Sequence, residues 1–408
     1  VSGDLGAVIV DANSPASFTT GSITTSGGTV VSNYLNNTND NIVVTVPIAN
    51  DSSLNGGSIQ LEISIDGGAY ANIGSPATIA GANLGGTQNA TITDNNVEAL
   101  GAYAEGVALT FKAKLTDTAG NSTTGGVSGT TITVDQASPS VTLVSSNKLN
   151  GTYIKNQNIF VQVLFSENVI VNTTSGTPTL TLETGLSDAD VNYSSGSTSD
   201  ILTFEYTILS GHNSSDLDYA SENSLALNSG TIRDQSGNDA VLTLPSPGSS
   251  GSLSANKNIV VDALAPTFIS VAAADATYKV DDNIDVTVTF SEAVTKTGTP
   301  TLTLSNGATA TYSSGDGSTA LVFRYTVAEG NTDSADLSVS SYSGTLADSA
   351  GNAAAAVSGD LGAVIVDANS PSFVSVAAAD ATYKVDDNID ITVTFSEAVT
   401  KTGTPTLT

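Results

Sequence analysis

The stretch Thr267–Thr303, TFISVAAADATYKVDDNIDVTVTFSEAVTKTGTPTLT, returns at Ser372–Thr408 with only Thr267/Ser372, Ile269/Val374 and Val286/Ile391 changed. The shift is 372 − 267 = 105 residues, so the chain is a tandem array. Its motifs are therefore read first as features of a repeated scaffold. A second echo agrees: VSGDLGAVIVDANSP at Val1–Pro15 recurs letter for letter at Val357–Pro371. Residues 1–15 thus read as the last strand (Ala7–Val10) and linker of a preceding repeat. Residues 372–408 read as the first three strands of a further, truncated one, and both ends as cuts through a longer polypeptide.

The punctuation between repeats is a VDxxxP linker: VDANSP at 10–15, VDQASP at 134–139, VDALAP at 261–266 and VDANSP at 366–371. It delimits domains 16–139, 140–266 and 267–371, each of ordinary single-domain size. Proline fixes its own φ and restrains the residue before it, so each linker is expected to be short and extended.

Inside the repeats the hydrophobic period is two. In SIQLEISID, Ile59, Leu61, Ile63 and Ile65 alternate with Ser58, Gln60, Glu62 and Ser64, and Leu109, Phe111, Ala113 and Leu115 alternate likewise in LTFKAKLTD. Domain 267–371 repeats the pattern with Ile284, Val286, Val288 and Phe290, then Leu321, Phe323, Tyr325 and Val327. About seven such strands per repeat, separated by Gly/Asn/Asp/Ser turns and without helical periodicity, predict an antiparallel β-sandwich. The Gly-, Asn- and Ala-rich stretch 81–96 reads as a long loop.

Composition narrows the function. Forty Asp and Glu against eleven Lys and Arg give a formal charge of −29, which repels phosphate backbones and anionic membranes, so nucleic acid is excluded as a partner. No apolar run approaches the roughly 20 residues of a membrane span, so this segment does not insert directly. Cysteine is absent, which rules out disulfides and thiolate metal sites and leaves burial, sheet ladders or hard cations to stabilise the fold. The single histidine, His212, sits among polar loop residues and supports neither a catalytic triad nor a histidine metal centre, so no enzyme is expected.

The VDxxxP linkers, the DTAGN (117–121), DQSGN (234–238) and DSAGN (348–352) loops, FSEAV (290–294) and GTPTLTL (298–304) resemble the bacterial immunoglobulin-like tandem repeats of large secreted or surface-attached adhesin-type proteins. The resemblance spans essentially the whole chain and is strongest from Ser140; domain 16–139 looks like a different subtype, without the FSE and GTPTLTL signatures. It implies tandem immunoglobulin-like domains in an extended array, an extracellular or cell-surface location, and often calcium at domain junctions.

In such a strand order, the loop after the second strand and the loop before the last strand lie where the chain enters the domain. Carboxylates from separate segments then converge with the linker Asp, which suits the six to eight hard oxygens of Ca²⁺. The candidate ligands are Asp11, Asp117 and Asn121, with Asp51 a weaker fourth; Asp135, Glu167, Asp234 and Asn238; Asp262, Glu292, Asp348 and Asn352; and Asp367 with Glu397. The competing reading is that DxxGN is simply a good turn, with Asp capping its own backbone and Gly taking φ > 0. A second acidic group, Asp281 and Asp282 with Asp386 and Asp387, falls at the exit end of each unit and reads as solvated loop, or as a contributor to the next linker's site.

The expected role is a structural shaft of an adhesin-type protein, its hinges stiffened by Ca²⁺ and its partners the neighbouring repeats of the same chain. Two other classes stay open: a self-assembling filament, sheath or surface-layer subunit that contacts copies of itself, and a glycan- or protein-binding module. For the last, Tyr103, Tyr278, Tyr312 and Tyr383 are the available stacking platforms, though each also suits core or edge packing.

Overall fold

The computed structural model describes residues 10–408. Of the strand expected at Ala7–Val10, residues 7–9 lie outside the described range and Val10 is irregular. The described chain divides into two compact units, one of residues 10–151, 158–207 and 214–260, the other of Thr152–Gln157, Ile208–Asn213 and Val261–Thr408.

In the first unit, alternation builds two facing sheets over one core. Ile23–Ser26, Asn41–Pro47 and Thr87–Thr93 form a three-stranded sheet. Tyr34–Leu35, Ile132–Val134, Ala108–Thr116, Ser58–Ile65 and Ala71–Thr78 form the second in that order. Ile59, Leu61, Ile63, Leu109, Phe111, Ala113 and Leu115 are buried between them, as their period predicts. Ser64 departs from the pattern: it is buried because its hydroxyl donates to the Gly68 carbonyl across the turn.

Stretch 81–96 is not a loop. It holds a 3₁₀ turn (Gly81–Asn83), the strand Thr87–Thr93 and a helical turn, Asp94–Glu98, opened by a Thr93/Asn96 capping box. Ala90 and Ile92 alternate inward, and full pairing with Asn41–Pro47 overrides the weak strand propensity of a Gly- and Asn-rich segment.

The same unit contains a second set of strands, Val141–Ser146, Asn158–Asn172, Ser199–Thr207, Ala189–Ser195, Thr179–Leu182 and Leu225–Ala226 in sheet order, with Thr231–Arg233 beside Asn158–Asn172. FSE does not end a strand here. Asn158–Asn172 runs straight through it, pairing with Ser199–Thr207 up to Leu164 and again only at Val169, so Phe165–Asn168 form a bulge. Beyond the bulge the strand changes partner to Thr231–Arg233.

The second unit repeats this device at the same place. Asn283–Leu304 pairs with Ser318–Thr326 up to Thr289, resumes at Val294, and then pairs with Ser338–Ala347. Glu167 and Glu292 therefore sit in strand bulges and not in loops, and a bulge re-aims the side chains it carries. Pairing is mainly antiparallel, but Ala276–Lys279 runs parallel to Val364–Asp367, as Tyr34–Leu35 does to Ile132–Val134. Phe323 is fully buried and meets Tyr312 edge-on at 6.0 Å; Phe204 and Tyr193 repeat the pair at 6.2 Å.

In 372–408, Phe373–Ala378 pairs with Ile391–Phe395 in the register of the Phe268–Phe290 pair. The expected third strand is irregular. In 267–371 its counterpart is held by Ser338–Ala347 and Thr309–Ser314, and 372–408 contains no equivalents of those strands.

Truncating Phe323 to Ala is expected to cost about 3–5 kcal/mol, as for other buried aromatics, and to lower the unfolding midpoint in chemical denaturation. A loss below about 1 kcal/mol would contradict its place at the centre of this core.

Candidate metal centre at the domain linkers

Each described linker is gripped by the domain that follows it, through residues the repeats share. The first grip is the DxxGN loop. Its Asp turns one oxygen on the loop's own N–H groups: Asp117 Oδ1 accepts from Ala119 and Asn121 at 2.9 Å, and Asp348 Oδ1 from Gly351 at 2.7 Å and Asn352 at 2.9 Å. Asp234 Oδ1 accepts from Gly237 at 2.7 Å, Asn238 at 2.8 Å and the Ser236 hydroxyl at 2.7 Å. Gly120, Gly237 and Gly351 take φ of 95°, 99° and 103°, a conformation that favours glycine.

The Asn of the loop then bridges its Asp to the linker. Asn121 Nδ2 donates to Asp117 Oδ2 at 3.0 Å and to the Asp11 carbonyl at 3.1 Å. Asn238 does so to Asp234 at 2.7 Å and the Asp135 carbonyl at 2.9 Å, and Asn352 to Asp348 at 2.8 Å and the Asp262 carbonyl at 3.0 Å. Both partners are acceptors, so the amide nitrogen must face them. The three asparagines, expected from sequence as oxygen ligands, thus present nitrogen to this contact. Two of the linker aspartates cap their own turns, Asp11 accepting from Asn13 N–H at 3.0 Å and Asp262 from Leu264 N–H at 3.4 Å.

The second grip is the serine of FSE. Ser166, Ser291 and Ser396 each accept, on the hydroxyl, the N–H of the residue after the linker proline, Ser140, Thr267 and Ser372, at 2.9–3.0 Å. Their own N–H groups return bonds of 2.8–2.9 Å to the same residues' carbonyls. Domain 16–139 lacks FSE, and Thr123 Oγ1 instead holds the Pro15 carbonyl.

A third contact, not anticipated from sequence, comes from the preceding domain. Glu105 Oε2 accepts the Gln136 N–H at 2.9 Å while Gly106 N–H donates to the Val134 carbonyl. Glu329 accepts from both N–H and hydroxyl of Ser370 while Gly330 N–H donates to the Ala368 carbonyl. The signal was present as a recurring Ala-Glu-Gly at 104–106 and 328–330, which alternation-based reading passes over because it lies in a turn.

Carboxylates gather most closely at the 134–139 linker, where oxygens of Asp135, Glu167 and Asp234 lie within 4.8 Å of one another. Burial pushes the Glu167 carboxyl above its usual range, with further upward pressure from the charges of Asp234, Asp135 and Glu105. Asp135 is raised by burial and then by Asp234. At the 261–266 linker Glu292 is raised by burial, then by Asp348 and Asp262. Asp117, bonded by Asn121, is held below its usual range.

Asp135, Glu167 and Asp234, the first two with raised carboxyls, form a converging all-oxygen donor set of the kind hard divalent cations take. Asp51, by contrast, is committed to capping Ser52–Leu54 through Ser53. Asp367 and Glu397 line one cleft together with Asp281 and Lys279, because the parallel pairing of Ala276–Lys279 with Val364–Asp367 carries the exit-end turn to the outgoing linker. Asp282 and Asp387 cap their own turns, accepting the N–H of Lys279 and Lys384.

The other sequence candidates have local partners. Tyr278 and Tyr383 donate their hydroxyls to the Ala274 and Ala379 carbonyls, Tyr312 packs on Phe323, and Tyr103 packs against the core with its hydroxyl pushed up to about 12 by burial. His212 Nδ1 accepts the Leu209 N–H at 3.3 Å.

The facing sheets, bulged partner-switching strands and parallel edge pair define an all-β protein of immunoglobulin-like sandwich domains. Residues 262–365 match the family model described as a bacterial Ig-like domain. No curated protein matches the sequence. Among solved structures, a 1.5-MDa bacterial ice-binding adhesin is similar at 15% identity, over 83% of this chain and 95% of that one, with a TM-score of 0.31. The FN1–FN3 domains of chicken CNTN1 align at 10% identity over 85% and 99%, TM-score 0.22. The I9–I11 tandem of titin aligns at 7% over 88% and 97%, TM-score 0.22.

The raised carboxyls set a pH dependence. A group that holds its proton more tightly when folded makes the native state bind more protons than the unfolded one, so stability falls as pH rises from the ordinary carboxylate range through the raised value. In chelator, Glu167→Gln is therefore expected to raise the melting temperature at about pH 7 and to lose that advantage as the pH approaches 5, near ordinary carboxylate values. A difference that does not change with pH would contradict the upward shift.

Proposed function

We propose that this chain is an extension segment of a bacterial surface-displayed, adhesin-type repeat protein, non-catalytic and extracellular, whose linkers are stiffened by bound Ca²⁺. The observation that carries this reading is the repeated grip on the linker. Core positions vary between the domains, yet DxxGN and the linker Asp recur at three junctions with the same bonds. A chain that spends its recurring residues on the orientation of successive domains is suited to holding something at a distance. The bacterial Ig-like match over 262–365 supports the same class. No helix among the described residues is long and apolar enough to cross a membrane.

Calcium would be held at the 134–139 linker by Asp135, Glu167 and Asp234, with the Glu105 charge adding to the upward pressure on the Glu167 and Asp135 carboxyls. The ion supplies positive charge where carboxylates otherwise repel, joining the linker, the strand bulge and the DxxGN loop in one coordination sphere. The local partners of Tyr278, Tyr312 and Tyr383 favour packing over glycan stacking for those rings.

Calcium titration with calorimetric melting tests the reading. With free Ca²⁺ about 100-fold above Kd, stabilisation of about 2.7 kcal/mol is expected for one site, and Glu167→Gln or Asp234→Asn should abolish most of it. Superimposable melts in calcium and in chelator would overturn the metal assignment.

A further inference from the structure

The 134–139 linker carries a second set of contacts that needs no cation. Asn36, in the NNTND turn of domain 16–139, is completely buried. Its Oδ1 accepts from the Thr38 N–H at 3.0 Å and hydroxyl at 2.7 Å. Its Nδ2 donates at 2.7 Å to the Thr29 carbonyl of its own domain and at 2.7 Å to the Ser236 carbonyl of the next. Every hydrogen-bonding position of this amide is thereby used, half of its donor capacity across the junction. Asn37 follows: its N–H donates to Asn238 Oδ1 at 2.8 Å, and its Nδ2 to the Ser138 hydroxyl at 3.0 Å. Asn238 is the amide whose nitrogen grips the Asp135 carbonyl, so one side chain ties the preceding domain, the linker and the following domain together.

Shape complements these bonds. A Cβ added to Gly237 would lie within 3.0 Å of Thr29 Cγ2, Val31 Cγ2 and Asn36 Nδ2. The equivalent positions Gly120 and Gly351 have the same backbone conformation, and a Cβ there meets nothing within 4 Å. Ser236 is also fully buried, whereas the matching residues are Ala119 and Ala350. Consistently, 10–151 and most of 158–260 fall in one compact unit.

The geometry points to a docking pair: the Asn36–Asn37 turn is a recognition surface for the D-x-S-G-N loop of the following domain, and it fixes the angle between 16–139 and the domain after it without metal. When the domains separate, Asn36 loses one of its two donor contacts and the Ser236 carbonyl loses its Asn36 donor, so both are left unsatisfied or exposed to water and the closed arrangement is favoured. None of the bonds that cross the junction involves a carboxylate oxygen, so the docking itself needs no cation, although Asp234 shapes the loop that is docked.

The absence of cysteine makes the test direct on the full chain. Thr91→Cys and Leu186→Cys place spin labels on exposed positions of the two domains, and pulsed electron spin resonance reads the distance distribution in chelator. A single narrow peak is expected for the parent. Asn36→Asp combined with Asn37→Ala removes the two bridging side-chain donors, leaving the turn acceptor and the Asn37 N–H, and should broaden that peak. Gly237→Ala should broaden it while the control Gly351→Ala, equally strained in its own loop, leaves it intact. A broad distribution in the parent, a narrow one in the Asn36/Asn37 variant, or equal effects of the two glycine variants would each overturn the docking pair. Loss of the calcium effect on melting with the narrow peak retained would instead sink only the metal site.

Discussion

The structure depends on one small interaction made three times: an asparagine amide nitrogen shared between a carboxylate in its own loop and the carbonyl of the linker aspartate. What converts separate sandwiches into an ordered succession is the treatment of the six-residue VDxxxP segment, where a free linker would cost little and orient nothing. Proline limits its backbone, Asn121, Asn238 and Asn352 hold its carbonyl, and the FSE serines close a two-way bond just beyond it. These bonds are short, local and partly shielded from water, so their geometry is well determined even where the net energy of each is modest.

Electrostatics sets the opposing demand. A chain with a net charge of −29 places carboxylates beside its own linkers, and at 134–139 three of them come within 4.8 Å. Glu167 and Asp135 are raised first by burial and then by the neighbouring carboxylates. Neutral amides solve the problem without adding charge: Asn36 and Asn37 contact the next domain through nitrogen and carbonyl groups alone. The two devices are complementary, since the carboxylate cluster is suited to a cation and the amide contacts need none.

Much of the fold was legible in the letters because a strand buried on one face alternates with period two. Ile284 to Phe290 and Leu109 to Leu115 sit inward as their spacing requires. The 105-residue echo was visible without any physics beyond self-similarity. Thr87–Thr93 is not legible because its inward residues, Ala90 and Ile92, lie among Thr and Asn that equally suit turns, and the sheet partner that decides the matter lies forty or more residues away. FSE reads as the loop after a strand because a bulge breaks only the pairing register, which one strand's sequence cannot express. Asp234, Asp348 and their asparagines were found as a motif, yet the direction of each amide depends on which acceptors surround it. Asn36 and Asn37 carry no pattern of their own and acquire a role only when the neighbouring domain is in place, whereas Glu105 shows only as part of the recurring Ala-Glu-Gly.

Atomic-resolution diffraction from the chain in chelator tests the central claim most directly. The account predicts that Asn121, Asn238 and Asn352 each keep Nδ2 within hydrogen-bonding distance of both their loop carboxylate and the linker carbonyl. Loops swung away from the linkers, with those carbonyls bonded only to water, would contradict it.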